Sequence, residues 1–147
     1  MKKFELTTES IVKFGRTLFR IRALVAFGNV KEGELGGFLE KEENLAQDGN
    51  AWVYGDATVR GDATICENAT ICGYATICGY ATICGNATVS ENATVRGSAT
   101  VRGNATVRGN ATVRGYATIC GNATVGENAT VGGNAWICGN ATVRGDA

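Results

Sequence analysis

Six cysteines and a run of arginines are the residues of this chain whose types and spacing could do chemistry. The cysteines are Cys66, Cys72, Cys78, Cys84, Cys120 and Cys138, and every interval between them is a multiple of six. Thiols at regular spacing can pair as disulfides, hold zinc as thiolates or attack an acyl group. Arg96, Arg102, Arg108 and Arg114 follow the same interval, and a guanidinium fork suits a carboxylate or phosphate. Glu67, Glu91 and Glu127 lie among them. One absence narrows the list: the chain contains no His. No imidazole can act as base, shuttle a proton or bind zinc. Arg102 could lend positive charge to a neighbouring thiol, but it cannot take its proton, so cysteine catalysis is not expected.

The element that carries these residues is a repeat. From Ala51 to Ala147 the chain reads Ala-Thr-Val/Ile-x-Gly-Asn/Asp/Tyr every six residues. Val or Ile occupies all 16 positions from 53 to 143, with Ala two residues before each. Thr stands between them except at Trp52 and Trp136. Six residues is not a helical period. Within each hexad the apolar residues alternate, which predicts a short strand with Ala and Val/Ile facing one way. Gly with Asn, Asp or Tyr beside it predicts a tight corner.

The unit Val-Arg-Gly-Asn-Ala-Thr resembles the hexapeptide repeat of the left-handed parallel β-helix superfamily, the trimeric bacterial acyltransferase-like proteins. Its apolar first position and small fifth position match in every hexad. The resemblance covers about two thirds of the chain. It implies an all-β fold, a left-handed parallel β-helix with three strands per 18-residue coil. It also implies a homotrimer with ligands held in grooves between subunits. The segment from Leu18 to Leu45 resembles the leader of bacterial and phage-borne hexapeptide proteins.

With 18 residues per coil, positions 18 apart stack. Cys66, Cys84, Arg102, Cys120 and Cys138 then share one face, Arg96 and Arg114 a second, and Arg108 the third. The arginines form a belt, a candidate site for a small anionic ligand. Tyr74, Tyr80 and Tyr116 fall at corners, as interface candidates. Asn68, Asn86, Asn104, Asn122 and Asn140 predict a hydrogen-bonded corner ladder. Cys66 and Cys84, like Cys120 and Cys138, would stand about 5 Å apart, within reach of a disulfide. The expectation is nonetheless six free thiols in a reducing cytosol. Zinc is not expected, because two sulfur pairs separated by Arg102 do not converge. Glu67, Glu91 and Glu127 are read as tolerated corner substitutions.

Residues 1–50 differ in composition and predict a separate unit, a β-hairpin-like cap and an irregular first coil, ahead of the solenoid at 51–147. Phe4-Glu5-Leu6 and Leu18 to Arg22 alternate as strands, with a turn at Gly15-Arg16. Gly36-Gly37 predicts a tight packing turn. Leu45 to Val53 spans eight residues instead of six, so the register slips by two before the regular array. The chain stops inside a hexad at Ala147, an end that further chain or another subunit would cover.

Lys and Arg total 14, as do Asp and Glu. Each half is neutral, with eight of each sign to residue 50 and six of each beyond. A nucleic-acid partner is therefore not expected. The start, Met1 to Ser10, has no apolar run after its lysines, and no membrane-spanning stretch follows. The expected location is cytoplasmic, with no membrane partner. The array carries no inserted loops of the kind that build catalytic sites. The functional expectation is a non-enzymatic structural or binding module without cofactor or metal. Its faces or grooves would meet a protein partner or small anion. The alternative is an acyltransferase-like enzyme. Ice binding is a lesser one, since Thr occupies all three faces and the rank beside it is Cys or Arg.

Overall fold

The structure, a computed structural model, describes residues 2–145. Met1, Asp146 and Ala147 lie outside them, and with these the unfinished last hexad. Each hexad forms a two-residue strand and a corner. Sixteen such strands run from Trp52–Val53 to Thr142–Val143 among the described residues. Every Ala and Val/Ile from Ala51 to Val131 is buried, as the alternation predicts. The last described coil is less covered, with Ile137 and Val143 half-buried.

Strands 18 residues apart pair in parallel and in register. Thr88 lies opposite Thr106, and Thr106 opposite Thr124. The amides of Thr88 and Ser90 donate to the carbonyls of Ala105 and Val107 in the next coil, each at 2.9 Å. Three sheets result, of eight, six and five strands, and the solenoid is six coils deep on the six-stranded face. Among the described residues there is one 3-10 turn, Glu42–Asn44, and no α-helix.

The corners require glycine for two reasons. Gly103 has φ +70°, and a Cβ there would stand 2.9 Å from the backbone nitrogen of Gly121 in the next coil. Glu67, Glu91 and Glu127 occupy the same left-handed conformation, with φ between 56° and 60°. An L side chain costs about 1–2 kcal/mol there, offset in part by the greater chain entropy of glycine. Glu91→Gly is therefore expected to stabilise the chain by up to about 1 kcal/mol, a rise of about 2–4 °C in thermal midpoint by calorimetry. The Asn row links Asn86, Asn104, Asn122 and Asn140 by side-chain amide hydrogen bonds of 3.1–3.2 Å.

The cap is built on one sheet of the solenoid. Strands β1 (Phe4–Lys13) and β2 (Arg16–Ala23) form an antiparallel hairpin. Its turn is Phe14-Gly15, both at positive φ, as a two-residue hairpin loop demands. That is one residue earlier than the spacing predicts. Strand β3 (Leu35–Leu39) pairs antiparallel with β2 and parallel with Thr58–Val59. The sheet thus changes direction at its end and hides its first solenoid edge.

Gly36-Gly37 is not a turn; it lies inside β3. A Cβ on Gly37 would stand 2.6 Å from the Ala57 carbonyl oxygen, so the pair serves close packing within a strand. The two-residue slip is also visible. Leu39 pairs with Val59 and Leu45 bridges Ile65, twenty residues apart where later coils pair at eighteen. Trp52, at an outward position, is fully buried because Phe4 and Phe27 cover it edge-on at centroid distances of 6.2 and 5.4 Å.

Candidate functional site

The outward x position of each hexad decides what a face presents. Arg96 and Arg114 stack on the face of Thr94 and Thr112. Arg102 lies on the face of Thr100, and Arg108 on that of Thr106. All four are exposed. Among the described residues the ion pairs fall in the cap and first coils, such as Arg16 with Glu40 and Lys41 with Asp62. None involves these four arginines.

Arg108 borders a depression of about 320 Å³. Along its row the outward residues are Arg108, Gly126 and Arg144, one per coil. Gly126 has no side chain, so a gap opens between the two arginines. Thr124 and Thr142 line it, and Glu91 and Glu127 stand at its corner side. The Arg108 stem folds across the gap. Its Cγ and Nε pass 3.5 Å from where a Gly126 Cβ would stand. Consecutive spacing singles out Arg96 to Arg114 and passes over Arg144. The signal that finds Arg144 is the 18-residue row Arg-Gly-Arg.

Tyr74, Tyr80 and Tyr116 are 67, 68 and 71% exposed. Their rings do not pack into the corners of their own chain. Tyr80 and Tyr116 share one edge, two coils apart, and Tyr74 lies on another.

The expectation of six free thiols fails at one pair. Cys120 and Cys138 form a disulfide. In-register parallel pairing places their Cα atoms 4.6 Å apart, inside the range a disulfide spans. Cys66, Cys72, Cys78 and Cys84 are free. Burial, reinforced by Cys84 and Glu67, pushes the Cys66 thiol up to about 11. Burial also raises Cys72, with Glu91 adding to it, and Cys84, with Glu67 adding to it. Arg102 acts on Cys84 in the opposite sense, but burial outweighs it. Thiols raised in this way are protonated at neutral pH and are poor nucleophiles.

These coils, sheets and faces define a β-solenoid repeat protein. Its repeat is similar to the YdcK beta solenoid repeat, whose family description matches residues 81–97. That span lies in the regular array and includes Arg96. No curated protein matches the sequence. No helix of the described residues is long and apolar enough to cross a membrane.

Proposed function

We propose that the chain is a non-enzymatic binding module of the hexapeptide left-handed β-helix kind. In this reading it is a rigid solenoid, assembled as a cytoplasmic homotrimer, and its faces or inter-subunit grooves take a protein partner or a small anionic ligand. The observation that carries the reading is the depression between Arg108 and Arg144, whose guanidinium groups have no ion pair among the described residues. Two such groups offer charge-assisted, forked hydrogen bonds to one carboxylate or phosphate. Glu91 and Glu127 at the rim disfavour an extended polyanion such as nucleic acid, so the two guanidinium groups must hold a compact anion between them. The exposed tyrosines supply rigid aromatic contacts of the type interfaces use.

Two observations weigh against acyl transfer. The strands follow one another every six residues with no inserted loop. The partly buried thiols of Cys66, Cys72 and Cys84 are raised rather than lowered.

Native mass spectrometry of freshly purified, reduced protein tests assembly and ligand together. A trimer is expected, carrying extra mass or gaining one ion on addition of inorganic phosphate or citrate. Arg108→Ala and Arg144→Ala should each weaken that ion at least about tenfold, the loss of a charge-assisted hydrogen bond of about 1.5–3 kcal/mol, without a change in thermal midpoint. A monomer that retains neither anion would overturn the proposal. A bare trimer would remove the anionic ligand and leave protein partners.

A further inference from the structure

On the face of Thr64 and Thr82, the strand register sets Cys66 beside Cys84 on neighbouring coils. The corner residue after Cys66 is Glu67, where most corners hold glycine. One Sγ of each cysteine and one carboxylate oxygen of Glu67 lie within 4.8 Å of one another. Two sulfurs bound to a tetrahedral zinc at ~2.3 Å stand ~3.8 Å apart, and a sulfur and an oxygen ~3.5 Å. Closing the three groups onto one ion therefore needs movements of about 1 Å, within the reach of side-chain torsions. From this geometry we propose that Cys66, Cys84 and Glu67 form a binding site for a thiophilic divalent cation of the zinc class.

The rest of the chain provides internal comparisons. Glu91 and Glu127 hold the same corner conformation, but Ser90 and Gly126 precede them, so neither adjoins a stacked thiol pair. Cys120 and Cys138 are a stacked pair, but their corner residue is Gly121 and they are joined to each other. A carboxylate and two unjoined thiols come together at Glu67. The three groups repel one another when ionised. A bound cation would reverse that effect. Arg102, one coil beyond Cys84, favours the ionised Cys84 thiol.

Two sulfurs and one oxygen select a soft or borderline metal over calcium or magnesium. Three protein ligands leave the fourth tetrahedral position to water. The sulfur pairs alone do not converge on a metal; Glu67 is the ligand that completes the set.

Cadmium is the probe, because its thiolate complexes absorb in the ultraviolet. The titration uses reduced Cys120→Ser/Cys138→Ser protein, so that one stacked thiol pair remains. One ion per chain is expected, with a thiolate charge-transfer band, a matching mass gain and competition by zinc but not by calcium or magnesium. Cys66→Ser or Cys84→Ser should abolish the band. Glu67→Gly restores the usual corner residue, so it should fold normally yet bind cadmium at least tenfold more weakly. Retention of the band in Cys66→Ser would move the metal to Cys72 or Cys78 and overturn the site. So would an unchanged affinity in Glu67→Gly, or the absence of any bound ion.

Discussion

Val101→Asp is expected to break the solenoid at its middle coils. Val101 is fully buried. It lies between Ile83 and Ile119 in register on adjacent coils. A carboxylate there would be surrounded by Ala and Val/Ile of a thin core, with no partner in reach. It must either ionise in an apolar medium or bind a proton at a cost, and each coil is supported only by its neighbours. The loss should be about 4 kcal/mol or more, at the extreme of single substitutions. In a thermal melt that is a fall of about 10 °C or more, or loss of a single transition. Hydrogen exchange should speed up most in the coils around residue 101. Arg102→Ala, one residue on and exposed, should change stability by less than about 0.5 kcal/mol. An unchanged melt for Val101→Asp would refute the inward placement of the Val/Ile row.

The second large effect is expected at the cap. Trp52 occupies a position that is Thr in most hexads, yet it is fully buried beneath Phe4 and Phe27. Trp52→Ala should cost about 3–5 kcal/mol, the usual range for emptying a large aromatic site. The loss should be local. Strands β1 to β3 should exchange rapidly while the coils beyond residue 70 keep their protection, because a solenoid transmits stability only between neighbours. Trp52→Phe should cost less, since it keeps an aromatic ring in place and removes an indole N–H that is buried without a partner. Equal loss of protection along the whole chain would show that cap and solenoid fold as one cooperative unit. Trp136, the other Thr-to-Trp position, is 70% exposed, so Trp136→Ala should scarcely alter the melt.

The fold was legible because one rule is stated sixteen times. Ala and Val/Ile alternate with Thr, and only one face of so short a strand can be apolar, so inside and outside follow. Glycine at the corner is legible for the same reason, since the positive φ values there favour it. The cap was harder. It contains no repeat, so its hairpin turn was expected one residue too late. Gly36-Gly37 was taken for a turn because glycine pairs usually make one. Its role depends on the carbonyls of Val53 and Ala57, which are distant in sequence. The site residues were legible as rows, but not as sites. Arg144 joins Arg108 only through the gap at Gly126. Glu67 matters only because its carboxylate comes within 4.8 Å of two thiols.

The six-residue period by itself determined the strands, the corners, the buried row and the outward row, because these depend on local alternation and backbone conformation. The tertiary structure decided what required distances between coils. It joined Cys120 to Cys138, covered Trp52 while leaving Trp136 open, and opened a depression between Arg108 and Arg144. The physical reason is the difference between placement and contact. A periodic sequence states which way each side chain points. The period also places stacked residues at about the coil spacing, but only the folded coils state which of those neighbours bond, which are covered and where a gap opens.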